Sequence, residues 1–252
     1  MDEPFTKIAG HATDEELALR HGFVDLFRAC PIPDDELLAN LGLFLKRQDL
    51  ARTIFLIDLY RQIVDVPGVV LELGVRWGRD LVLLQALRGI LEPYNYSRRV
   101  VGFDTFEGFP SVDARDGTSE HATVGAYDVT DGYEDYLAAV LDYHEGESPL
   151  AHIRKHELVK GDVTRTLDGY LADHPETIVA FAYFDLDLFE PTRHCLAALR
   201  GRLTRGSIVA FDELCCPDFP GETAAVAEVV GLDSVRLRRS PMVPFPSYFV
   251  VE

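Results

Sequence analysis

The chain has 252 residues, with 42 Asp and Glu against 24 Lys and Arg, a formal net charge of −18 and a 47% hydrophobic share. That acidity excludes a nucleic-acid partner, whose phosphates need a basic face, and no stretch approaches the ~18 consecutive apolar residues of a membrane span. The N-terminal MDEPFTKIAG lacks the basic and then apolar layout of a signal peptide. Cys30, Cys195, Cys215 and Cys216 follow neither metal-type nor secreted-scaffold spacing, so the expected home is the cytoplasm.

Residues 14–64 read as helices: DEELALRHGFVDLFRAC has apolar side chains at helical spacing with Asp14 able to cap it. LGLFLKRQDLARTIFLIDLYRQIVDV continues the pattern until Pro67-Gly68. The break divides the chain into a helical extension over 1–66, suited to a lid or to oligomerisation, and a catalytic domain over 67–252. GVVLELG (68–74), VVGFD (100–104), HELVKGD (156–162), IVAFAYFDLD (178–187) and SIVAFDE (207–213) read as buried strands. Helical patterns lie between them at 79–91, 132–144, 164–174 and 191–203, while VRLRRS and PSYFVVE read as two further strands. Strands alternating with helices predict an α/β fold with a doubly wound, mostly parallel sheet covered on both faces. The polar, aperiodic segment 110–130 reads as a disordered or lid loop.

In such a sheet, ligands bind beyond the carboxyl ends of the strands. The first strand ends in Glu72-Leu73-Gly74-Val75-Arg76-Trp77-Gly78, where two glycines let the backbone approach a ligand before a helix starts. There is no G-x-G-x-x-G and no G-K-[ST], which weakens a dinucleotide or P-loop reading. Asp104 ends the second strand, placed to accept from both ribose hydroxyls of an adenosine, and Phe106 and Phe109 could bracket that ligand or belong to the core. Asp162, with Val163 beside it, either takes an adenine amino group or caps the helix at 164.

The fourth strand ends in Asp185-Leu186-Asp187 and the fifth in Asp212-Glu213. Alternation puts Asp185 and Asp187 on one face, where like charges repel unless a cation or proton separates them. Helix caps account for one or two such acids, not four. A hard divalent cation, Mg²⁺ first, fits an all-oxygen set, with Asp185, Asp212 and Glu213 as ligands. Coordinating an alcohol lowers its pKa, and Asp187 is then the candidate base, with His194 a rival one helical turn on. Cys215 and Cys216 read as buried small side chains in preference to a redox pair.

GVVLELGVRWGRDL, VVGFDTFEGFP, AYFDLDLFEPT and GSIVAFDEL together resemble the macrocin O-methyltransferase family of antibiotic-sugar methyltransferases. The likeness runs from the N-terminal helices to the last strand and is weakest around 110–130. It implies a class I methyltransferase fold of seven strands with the last antiparallel, S-adenosylmethionine as cofactor, and homo-oligomers. It also implies a metal on Asp185, Asp212 and Glu213, Asp187 as base, and a cofactor pocket from Glu72, Gly74, Val75, Gly78, Asp104, Asp162 and Val163. Many members carry Asp-Asp where this chain has Asp212-Glu213, which puts the role of Glu213 in question.

The leading expectation is methyl transfer to a sugar hydroxyl, on a TDP-deoxysugar or a glycosylated natural product. Arg76, Arg98, Arg99, Arg154 and Arg193 are possible pyrophosphate contacts. The rivals are a metal-dependent catechol-type enzyme with aromatic walls from 106–109 and 243–249, a non-catalytic cofactor-binding module, and a nicotinamide oxidoreductase. The missing third glycine disfavours the last.

Overall fold

The structure, a computed structural model, describes residues 12–252. Residues 1–11, on which the signal-peptide expectation falls, lie outside them. The chain divides into two compact units, Met1–Leu50 and Ala51–Glu252, whereas the sequence pattern breaks at Pro67-Gly68.

The first unit contains α1 (Asp14–Arg28) and α2 (Asp34–Leu37), then a 3-10 turn over Leu38–Phe44, and α3 (Arg47–Gln62) begins within it. Thr13, not Asp14, is the N-cap of α1. Its hydroxyl accepts from the Glu16 N–H at 3.3 Å and its own N–H donates to the Glu16 carboxylate at 2.9 Å, a reciprocal pair that a helix-forming Asp14 cannot supply. Neither α1 nor α2 buries a residue.

The second unit is a seven-stranded sheet in the order β3-β2-β1-β4-β5-β7-β6. Its strands are β1 (Val69–Leu73), β2 (Val100–Asp104), β3 (His156–Lys160), β4 (Val179–Phe184), β5 (Leu203–Phe211), β6 (Arg238–Arg239) and β7 (Ser247–Val250). β1 to β5 pair in parallel, and β7 runs antiparallel to both β5 and β6. That is the arrangement the resemblance implies, with the last strand reversed.

Side-chain alternation sorts the sheet residues between two cores. Val70, Val100, Phe181, Tyr183, Ile208 and Ala210 pack with α3, α4 (Arg79–Leu91) and α5 (Tyr133–Glu147). Leu71, Leu73, Phe103, Phe184, Val209 and Phe211 pack with α6 (Val163–Asp173), α7 (Phe189–Leu199) and α8 (Gly221–Val229). Helix α8 has no counterpart in the sequence reading, because GETAAVAEV is short and small-residue-rich, and its polar residues, Glu222 buried among them, do not separate from the apolar ones in a helical stripe. β5 starts at Leu203, where the reading still had helix. Gly201 follows the end of α7, and Thr204 is a β-branched residue suited to strand.

β4 stops at Phe184, so Asp185-Leu186-Asp187 is not strand. The 110–130 segment is loop, as the sequence reads it, apart from a 3-10 turn over Ala114–Asp116. Asp116 in it is buried, its Oδ1 accepting from the Phe189 N–H at the start of α7 and its Oδ2 from the Asp113 N–H. The Arg115 guanidinium lies 3.4 Å from the centroid of the Phe189 ring. Polarity without period signalled a loop, yet one buried carboxylate fastens it.

Candidate active site

The carboxyl edge of the sheet is built from tight turns. Gly74 has φ +91°, and a β-carbon there would overlap the Asp185 carbonyl, so the turn after β1 and the turn after β4 touch through main chain alone. Arg76, Phe106, Asp187 and Cys215 are left-handed without being glycine (φ +49° to +64°), one in each turn after β1, β2, β4 and β5. Such conformations cost about 1–3 kcal/mol each and cluster at functional sites.

Asp104 folds this edge. One carboxylate oxygen accepts from the Val75 and Arg76 N–H groups, both at 2.7 Å, and the other from the Phe106 N–H at 2.6 Å. The residue expected to hold a ribose thus also shapes the glycine turn, while Gly78, left-handed at φ +77°, is the N-cap of α4. Val75, Phe106 and Val163 are buried in the two cores. Asp162 caps α6, accepting from the Thr164 N–H at 2.9 Å and hydroxyl at 2.7 Å. Glu72 is buried in β1, its Oε2 has no hydrogen-bond partner among the described residues, and burial holds its carboxyl well above the usual range.

The acids after β4 and β5 meet around a residue the sequence reading missed. Arg52 of α3 donates through Nε to Asp80 at 2.7 Å, through Nη2 to Asp185 Oδ2 at 2.6 Å, and through Nη1 to Asp212 Oδ2. Its guanidinium lies 5.4 Å from the Tyr183 ring centroid, and the Tyr183 hydroxyl donates to Asp212 Oδ1 at 2.7 Å. Buried Glu222, from the first turn of α8, accepts from the Leu186 N–H at 3.3 Å and the Glu213 N–H at 3.0 Å. It ties the two acid-bearing turns together. Nothing within one sequence says which arginine of an amphipathic helix reaches the sheet. Tyr183, two residues before Asp185, was the one legible partner.

Burial, with Asp212 alongside, pushes the Asp185 and Glu213 carboxyls up to about 7, against the opposing charge of Arg52. Burial, then Asp185, Glu222 and Glu213, raises Asp187 well above the carboxylate range. The Asp185 side chain keeps 31% of its surface exposed, so the cluster remains reachable.

Other residues singled out lie elsewhere. His194 faces Asp168 of α6 at 3.1 Å, outside the acid cluster. Arg98 is buried under Glu92 and the carbonyls of Ile63, Val66 and Gly68. Arg99 pairs with Glu157, Arg154 with Asp142, and Arg193 with Glu190. Arg76 remains at the edge, 4.9 Å from the Tyr127 ring centroid, and Tyr127 packs with Phe109 and Phe219. Phe106 and Phe249 are core residues and line no open wall. Cys216 is buried and its thiol donates to Glu213, whereas Cys215 is exposed, contrary to the expectation that both are buried.

Among the described residues no three His, Cys, Asp or Glu side chains converge at coordinating range, and Arg52 spans two of the expected ligands. The donor chemistry nevertheless fits a hard cation. Asp185, Asp187, Asp212, Glu213 and Glu222 crowd together, with Arg52 ion-paired to two of them, and burial among like charges makes four of them hold protons more tightly, a place a divalent cation would take over.

A family model described as Macrocin-O-methyltransferase (TylF) matches residues 56–227. A crystal structure of CalS11, calicheamicin methyltransferase, is 47% identical, with 99% of this chain and 98% of that one covered and a TM-score of 0.93. An apo structure of CalS11, TDP-rhamnose 3'-O-methyltransferase, is 45% identical over 95% of this chain and 96% of that one, with a TM-score of 0.84. The O-methyltransferase NovP shares the fold at 19% identity, with 80% of this chain and 79% of that one covered and a TM-score of 0.58. No curated protein sequence matches. On the family match and the near-complete alignment with CalS11, the chain belongs to the macrocin O-methyltransferase family and is an S-adenosylmethionine-dependent O-methyltransferase.

Proposed function

We propose that the chain methylates a hydroxyl of a deoxysugar, presented as a TDP-sugar such as TDP-rhamnose or on a glycosylated natural product, during antibiotic or related secondary-metabolite assembly. The observation that carries this reading is 47% identity with CalS11 across 99% of the chain. S-adenosylmethionine supplies the electrophilic methyl group. The turn from Gly74 through Val75 to Gly78 would offer backbone to the cofactor, and Asp104, beside Phe106, would accept from its ribose hydroxyls. Asp162 and Val163 would border the adenine, with Glu72 behind the turn. Asp187, at the end of the turn after β4, takes the proton of the acceptor hydroxyl. Asp185, Asp212 and Glu213 would hold a divalent cation, Mg²⁺ by donor type, which lowers the pKa of a coordinated hydroxyl. Arg76 is the arginine best placed for the phosphates of a nucleotide sugar.

Incubation with S-adenosylmethionine and a panel of TDP-deoxysugars, free glycosides and catechols, read by mass, tests this. Gain of one methyl on a sugar supports it. Methylation of catechols alone would replace it with the phenolic reading.

Assembly into a homo-oligomer through residues 12–50 belongs to the same proposal. Leu19, Leu26, Phe27, Leu38 and Leu43 there are exposed apolar side chains, and light scattering that finds only monomer removes it. A cytoplasmic setting is proposed from the acidic chain and its four free cysteines. No helix among the described residues is long and apolar enough to cross a membrane.

A further inference from the structure

We propose that Arg52 is an internal cation that a divalent metal must displace from Asp185 and Asp212, and that Glu72 receives the displaced guanidinium. The inference rests on the cation reading above. Arg52 already donates to Asp185 Oδ2, at 2.6 Å, and to Asp212 Oδ2. A metal drawn to the same two oxygens meets that guanidinium, and like charges at such range repel strongly where water is scarce.

A displaced arginine needs somewhere to go, and the structure holds an open acceptor. Glu72 Oε2 is buried and unpartnered among the described residues. Glu72 stands in register with Tyr183 across β1 and β4, and Arg52 lies 5.4 Å from the centroid of that tyrosine ring. Glu72 falls by alternation on the face of β1 that bears Val70, the face α3 covers, and Arg52 of α3 reaches Asp185 and Asp212 just past the ends of β4 and β5. Asp80 anchors the pivot. It accepts Arg52 Nε at 2.7 Å while Arg79 holds its other oxygen at 2.8 Å, so the guanidinium can turn without leaving Asp80. A buried acceptor without a donor calls for an explanation, and a second resting place for Arg52 supplies one.

The test is Mn²⁺ titration of the full chain at pH 8, followed by loss of the free-ion EPR signal, with S-adenosylhomocysteine binding as the control for folding. Arg52→Met should bind Mn²⁺ about ten-fold or more tightly, since it removes the competing charge. Glu72→Gln should bind about three-fold or more weakly, since an amide cannot become the anion that would pair with the arriving guanidinium. Equal or weaker binding in Arg52→Met would show that Arg52 permanently orients the ligands, and the exchange fails. Unchanged affinity in Glu72→Gln removes Glu72 as receiver. A wild-type chain that binds no Mn²⁺ overturns the cation reading itself, a result distinct from the other two. Should Arg52→Met lose S-adenosylhomocysteine binding, Arg52→Gln decides, because its amide keeps a polar donor without the competing charge. It too must bind Mn²⁺ more tightly than wild type, and failure to do so overturns the exchange.

Discussion

Glu222 holds the main chain of Glu213 from across the edge of the sheet, its Oε2 accepting the Glu213 N–H at 3.0 Å while Oε1 takes the Leu186 N–H at 3.3 Å. One buried side chain of α8 therefore sets the spacing between the turns that carry the acids. Glu222→Gln turns one acceptor into a donor facing an N–H. It should destabilise the fold by about 1–3 kcal/mol, the range for an unsatisfied buried group. Urea denaturation checks this, and a change below about 0.5 kcal/mol would mean that the turns hold without it.

Asp187→Asn should lower turnover by about 10²-fold or more, the scale of a lost general base, with S-adenosylhomocysteine affinity near wild type. Asparagine is the apt probe because it tolerates the left-handed backbone seen at Asp187, φ +60°. The turn survives while the proton acceptor is lost. Full turnover in steady-state assays would remove Asp187 from that role.

Asp104→Ala strips three backbone N–H groups of their acceptor. It should weaken S-adenosylhomocysteine binding by about 1–3 kcal/mol and lower the melting temperature as well. Calorimetry and thermal melts read the two effects separately. Lost stability with unaltered affinity would confine Asp104 to shaping the turn.

Asp185 and Glu213 have carboxyls raised to about 7, above the ordinary carboxylate values of about 4. Between those values the folded chain holds more protons than the unfolded one, so stability falls as pH rises through that window. Chelator-treated protein should melt lower at pH 8 than at pH 6, and added Mg²⁺ should raise the melting temperature more at pH 8. Asp185→Asn with Glu213→Gln should flatten the pH dependence. A slope that persists in the double variant assigns it to other groups.

Much of the sheet was legible because parallel strands are short apolar runs bounded by turns, and β1 to β4 fall where GVVLELG, VVGFD, HELVKGD and IVAFAYFDLD place them. The acids at 185, 187, 212 and 213 were legible for a related reason, since charge at the end of an apolar run has few structural explanations. What single-chain patterning could not convey was pairing across distance. Arg52 lies 133 residues from Asp185 and 160 from Asp212, and helical periodicity marks a face without naming its target. Asp116 hid in the same way, its polarity reading as solvent exposure although its carboxylate is buried. The strand reading of Asp185-Leu186-Asp187 failed because β4 ends at Phe184 and the chain turns there, with Asp187 left-handed, so the alternation that the rule presumes does not extend to them.

The contact between Gly74 and the Asp185 carbonyl has a further consequence. Under the proposed chemistry, the turn that faces the methyl donor and the turn that bears the base abut as bare backbone. The gap the methyl group crosses is then gauged by a spacer that side-chain drift cannot lengthen. An engineer seeking new sugar substrates should leave Gly74 alone so that this gauge keeps its setting.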